Sequence, residues 1–165
     1  MSIRAATTDD VTAIKRVARA AWGTDYPDVL SRETAEEGVE EWYDADRLRT
    51  EIERDDGVVL VARRDDEVVG FAHAVVTEGR GSILRVYVHP DARRGGLGGD
   101  LLDRTLDELR EREAGHVQAM VLADNEPGRR FYEAAGFEME DEGETTIAGE
   151  SYRECVYGLR DDATA

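Results

Sequence analysis

Residues 88–102, Val-His-Pro-Asp-Ala-Arg-Arg-Gly-Gly-Leu-Gly-Gly-Asp-Leu-Leu, constrain this chain most, because an extended apolar stretch runs through a glycine-rich turn directly into a helix. Gly95, Gly96, Gly98 and Gly99 let the backbone approach a ligand closely, and the first amides of the helix have no intrahelical acceptor, so they point outward as a ready anion site. Arg93 and Arg94 stand beside them and add charge-assisted donors, which makes a pyrophosphate the expected guest. Two familiar phosphate loops are excluded by the same residues. A dinucleotide fingerprint read from Gly96 through Gly98 has Leu101 where its third glycine belongs, and a P-loop needs a Gly-Lys pair, whereas the chain's one lysine is Lys15.

The remaining pattern, Arg-x-x-Gly-x-Gly filled by Arg93, Gly96 and Gly98, resembles the acetyl-CoA loop of the GNAT family of N-acetyltransferases. Some thirty residues on, Asn125-Glu126-Pro127-Gly128-Arg129-Arg130-Phe131-Tyr132-Glu133-Ala134-Ala135-Gly136-Phe137 resembles that family's other cofactor motif, an Asn, then a Phe-Tyr pair, then Gly-Phe. The likeness covers residues 82–137, and the rest of the chain follows it by order of elements. It implies an α/β fold of mixed order, with a central, mostly antiparallel mixed sheet flanked by helices and a parallel, splayed strand pair at the cofactor site.

Length and composition set the frame. A chain of 165 residues that is 41% hydrophobic can bury one substantial core, and no linker-like run divides it, so residues 1–165 are expected to form a single domain. No leader-like or membrane-length apolar run occurs, which leads to the expectation of a cytoplasmic protein with no membrane partner. The net charge of -17 argues against nucleic acid, whose phosphates would be repelled. Acid spread along the whole chain resembles the surface of proteins from halophilic organisms. In molar salt the screening length falls to about 3 Å, so local donors in the loop would outweigh the global charge. Cys155, the single cysteine, lies in an apolar run and reads as an inert core thiol. Three isolated histidines with no carboxylate at ligand spacing predict no metal site.

Patterning predicts a short strand at 3–6, then a helix begun by a capping box of Thr7 and Asp10, with Val11, Ile14, Ala18 and Ala21 on one face. Residues 22–55, acidic and carrying Trp22, Tyr26, Trp42 and Tyr43, are expected to form one or two more helices around a looser connection. Strands at 58–62 and 68–76 are joined across the polar 63–67 as a hairpin, and 82–88 gives the next strand. Leu97, Leu101, Leu102, Leu106 and Leu109 stripe the helix after the glycine turn, with Gly115 closing that region before a strand at 117–122. Pro127 opens a helix capped by Asn125 or Glu126, Gly136 ends it, and strands from Phe137 and over 152–159 complete the sheet.

The resemblance implies a reaction: transfer of the acetyl group of acetyl-CoA, as co-substrate, to a primary amine of a small molecule or a peptide, within a ternary complex. It assigns the pantetheine arm to the backbone of Val86 and Val88 and to Asn125, and the diphosphate to Arg93, Arg94, Gly95, Gly96, Leu97, Gly98 and Gly99. Tyr132 becomes the general acid for the departing thiolate. Read from the residues alone, Asn125 can also be a helix cap, a role compatible with the other, and Tyr132 a core residue, while Arg129 and Arg130 read as solvated helix surface. The base is missing. Removing a proton from an alkylamine at pH 7 costs about 4.6 kcal/mol, yet the positions where relatives of the family carry a glutamate hold Ser82 and Met120 here. His73, Glu78 or a water relay from the acids of 33–41 are the candidates. The acids and rings of 22–43, with segment 140–151, are expected to form the acceptor pocket. A catalytically weak module that binds CoA as a sensor or scaffold, an enzyme for a longer acyl group, and a homodimer all remain compatible with the sequence.

Overall fold

The computed structural model describes residues 2–25, 38–39, 43–54, 57–92 and 95–159. Seven strands form one sheet in the order β1-β2-β3-β4-β5-β7-β6. They are β1 (Ser2–Ala5), β2 (Gly57–Arg64), β3 (Glu67–Thr77), β4 (Arg80–Val88), β5 (His116–Leu122), β6 (Phe137–Ile147) and β7 (Glu150–Leu159). All neighbours are antiparallel except β4 and β5. Helices α1 (Val11–Asp25) and α2 (Ala45–Glu53) cover one face, and α3 (Leu97–Glu111) and α4 (Glu126–Ala134) the other. No described helix is long and apolar enough to cross a membrane.

Turn chemistry fixes the antiparallel half. The β2–β3, β3–β4 and β6–β7 connections are two-residue loops with both residues at positive φ: Asp65 and Asp66, Glu78 and Gly79, Ala148 and Gly149. Such turns match the twist of paired strands. Glu78 is therefore spent in a tight turn at the start of β4.

The leucine stripe behaves as its spacing predicts, with Leu97, Leu101, Leu102, Leu106 and Leu109 buried against β2, β3 and β4. The exit of α3 differs from expectation: Glu113, at φ 61, takes the left-handed position and Gly115 does not. On the opposite face, Val11, Ile14 and Ala18 pack with Trp22, Tyr43 and Phe71. Trp22 belongs to the last turns of α1, and α2 is the helix expected after it. Tyr26, Trp42 and the acids of 33–37, 40 and 41 lie outside the described residues.

The start of α1 is held by a buried carboxylate. Asp10 accepts two hydrogen bonds from Arg4, at 2.7 and 3.0 Å, and one from the Thr7 amide at 2.8 Å. The Arg4 bond is the main cause that holds its carboxyl below the usual range. A depressed folded-state pKa stabilises above the unfolded value and is lost as pH falls through the folded one. Asp10→Asn should therefore cost about 1–2 kcal/mol at pH 7 in urea unfolding, with the gap to wild type closing below about pH 4.

Candidate active site

The site begins as a break in the sheet. Strands β4 and β5 pair in parallel only from Arg80↔His116 to Ile83↔Ala119. Beyond that point a bulge between His73 and Ala74 of β3 leaves Leu84 without a partner, and a bulged strand bends away from its neighbours. Leu84–Val88 of β4 and Met120–Leu122 of β5 then diverge, and β5 continues pairing only with β7. A cavity of about 460 Å³ fills the gap.

Register decides what the backbone offers there. The His89 amide donates to the Val69 carbonyl at 2.7 Å, which makes residues 71/87 and 73/85 the hydrogen-bonded pairs of β3 and β4. In the alternate pairs, 72/86 and 70/88, the peptide groups of Val86 and Val88 turn away from β3 toward the gap.

At the mouth, α3 starts without a side-chain cap. Gly96 is its N-cap in the left-handed region, at φ 75, and the first intrahelical bond is from the Asp100 amide to the Gly96 carbonyl at 3.0 Å. The amides of Leu97, Gly98 and Gly99 precede it and have no partner among the described residues. Gly98 sits against Phe131, where a Cβ would lie 3.3 Å from Cε1. Uncapped amides at the positive end of a helix dipole fit an anionic, oxygen-rich group such as a diphosphate. Gly95, Gly96 and Gly99 are exposed at this mouth, whereas Arg93 and Arg94 lie outside the described residues.

The helix α4 forms the other wall. Asn125 is buried and its Oδ1 accepts the Gly128 amide at 3.1 Å, so it is the cap, and it lines the cavity as well. That closeness needs glycine at 128, since a Cβ there would come 2.5 Å from Asn125 Nδ2 and 2.9 Å from Val121 Cγ2. Tyr132 is both core residue and cavity residue. Its ring packs among Phe131, Phe137 and Tyr157, with centroids 5.2, 5.5 and 6.5 Å away. It is only 5% exposed, its hydroxyl makes no hydrogen bond among the described residues, and the residue lines the cavity. Burial pushes the phenol well above its ordinary pKa.

Neither named candidate for the base lines this cavity. Glu78 sits in the turn at the opposite end of β4. His73 is buried on the α1 face, where its Nδ1 lies 3.0 Å from Arg85 Nη1. Burial, reinforced by Arg85, Arg47 and Arg54, pulls its pKa down to about 3, so it is a neutral acceptor for Arg85 and its contact with Glu51 at 3.5 Å is not an ion pair. Arg129 also departs from a purely solvated reading: it donates to the Tyr157 hydroxyl at 3.0 Å and to the Ala123 carbonyl at 3.2 Å, stapling α4 to the sheet. Arg130 is exposed and pairs with Glu126. Sequence reasoning missed Arg85 and Glu154, which line the cavity from β4 and β7. Of the expected acceptor region, Trp22 and Ile147 reach it. Among the described residues no cluster of three or more His, Cys, Asp or Glu could hold a metal.

Comparison with known proteins converges on one group. The profile of the Acetyltransferase (GNAT) family matches residues 16–137. A spermidine N(1)-acetyltransferase from Thermoplasma acidophilum is 27% identical over 145 residues, covering 86% of this chain and 90% of its own length. The uncharacterized N-acetyltransferase YhfO of Bacillus subtilis is 30% identical over 149 residues, covering 87% and 93%. The crystal structure of the PaiA N-acetyltransferase from Thermoplasma acidophilum in complex with coenzyme A superposes with a TM-score of 0.82 at 26% identity, covering 93% of this chain and 96% of that one.

Proposed function

Because the chain belongs to the GNAT family of acetyltransferases, we propose that it transfers the acetyl group of acetyl-CoA to a primary amine of a small molecule, with aliphatic polyamines first in line. One observation carries the reading: a single cavity between β4 and β5 joins uncapped amides of Leu97, Gly98 and Gly99, outward peptide groups of Val86 and Val88, and the Tyr132 hydroxyl. The solved relative with coenzyme A and the spermidine-acetylating relative support the cofactor and the acceptor class.

The residues divide the work by chemistry. The α3 amides, with Arg93 and Arg94, bind the diphosphate. Val86 and Val88 bond the amides of the pantetheine arm as an added strand edge would, and Asn125, already fixed as a cap, borders the same path. Bound there, acetyl-CoA supplies an activated thioester. Phe131 and Leu97 help exclude water from it. Tyr132 then donates a hydrogen bond, and finally its proton, to the sulfur as the C–S bond lengthens. A phenol with raised pKa is a reluctant acid, but the dry cavity that raises it raises a thiolate's pKa too, so the two stay close enough for transfer.

Thiol release from acetyl-CoA should be measured against polyamines, amino acids, aminoglycosides and N-terminal peptides, beside calorimetry of CoA. The expected result is CoA uptake and turnover led by polyamines. Uptake with no release on any amine would favour a CoA sensor, and no uptake would overturn the reading.

A further inference from the structure

Glu154 is the one carboxylate that lines the cavity among the described residues. It sits on β7 opposite Leu122 of β5 and Gly143 of β6. The pleat puts Tyr152, two residues earlier, on the same face, where it packs with the α1 layer beside Trp22, Leu122 and Ile147. Tyr132 belongs to the opposite layer, with Phe137 and Tyr157. The break between β4 and β5 is therefore flanked by a carboxylate from one face of the sheet and a phenol from the other. Glu154 is half-buried, and its carboxylate has no hydrogen bond or ion pair among the described residues.

We propose that Glu154 receives the acceptor as an ammonium ion and removes its proton, acting as the general base of this transferase. The inference rests on the reading above. Around the carboxylate, Trp22, Leu122 and Ile147 give apolar walls for the methylenes of an aliphatic amine. A half-buried carboxylate with no hydrogen bond or ion pair among the described residues is suited to a substrate's own cation. Burial holds its carboxyl above the usual range, with Arg85 pulling the other way, which brings a weak carboxylate base closer to its task. The other titratable groups lining the cavity are Arg85 and Tyr87 from β4 and Tyr132 from α4.

The step balances. A proton moves from the ammonium nitrogen to a Glu154 oxygen, and the freed lone pair forms the C–N bond at the thioester carbon. The C–S bond breaks as the sulfur takes the Tyr132 proton. The second proton lost from nitrogen restores Tyr132, and the first leaves Glu154 to solvent, so the products are amide, free thiol and one proton.

The test is kcat/KM for the acceptor against pH, for wild type and Glu154→Gln, with CoA calorimetry on both. Wild type should rise through the carboxyl's ionisation and level off by about pH 8. Glu154→Gln should lose about 10²-fold at pH 7 and recover with a slope of one toward the amine pKa near 10, with CoA affinity unchanged. A variant within threefold of wild type at pH 7, or one whose KM alone rises while its pH profile keeps the wild-type shape, would overturn the base. Should Glu154→Gln fail to bind CoA, the wild-type profile decides alone: a plateau by about pH 8 supports the base and a continuous rise to pH 10 sinks it. Wild type that binds CoA but turns over no amine would overturn the proposed function itself, and this inference with it.

Discussion

Replacing Tyr132 by Phe is expected to lower turnover by roughly 10²- to 10⁴-fold while leaving the fold and CoA affinity in place. The ring contacts with Phe131, Phe137 and Tyr157 survive the change. The lost hydroxyl has no partner among the described residues, so its removal orphans nothing and the melting temperature should hold or rise. A loss confined to kcat, with Kd for CoA within a few-fold of wild type by calorimetry, identifies a group that acts on the departing sulfur. Turnover retained within threefold would remove Tyr132 from the chemistry and leave it a core residue.

Gly99→Asp should separate stability from binding in the opposite sense. Gly99 is the third residue of α3, exposed, with nothing within 4 Å of where its Cβ would be. A carboxylate in a first helical turn is favoured by the dipole by about 0.3–1 kcal/mol, and removing a helical glycine adds roughly 0.5–1 kcal/mol. The variant should therefore melt at or above the wild-type temperature. The same carboxylate competes for the amides of Leu97, Gly98 and Gly99 and repels a diphosphate, at about 3 kcal/mol per unit charge for ~5 Å and an effective dielectric of ~20. CoA should bind roughly 10²-fold more weakly, and less so at high salt. Gly99→Ala, which adds no charge, should keep Kd within several-fold. Unchanged CoA affinity in Gly99→Asp would mean that the α3 amides are not the anion site.

Much of this was legible because it is local. The glycine turn, the leucine stripe, the Thr7–Asp10 capping box and the Asn125 cap each depend on residues within a few positions of one another, and backbone chemistry dictates them wherever they occur. The β2–β3 hairpin follows for the same reason. Arg129 was misjudged as mere surface because its partners, Ala123 and Tyr157, are named by folding and not by spacing.

His73 and Glu154 mark the boundary. The sequence left His73, Glu78 and a water relay unranked as candidates for the base. The register of β3 against β4 pairs His73 with Arg85 on the α1 face, sealed and drained of basicity, while the order β5-β7-β6 carries a glutamate from near the C-terminus to the break between β4 and β5. The sequence by itself determined the glycine turn with its uncapped helix start and the class of fold, since both are written in short-range backbone preferences. That Tyr132 and Glu154 line the gap between β4 and β5, and His73 does not, was decided by tertiary structure, because a sheet joins strands far apart in the chain and its pleat chooses which side chain of each strand reaches the gap.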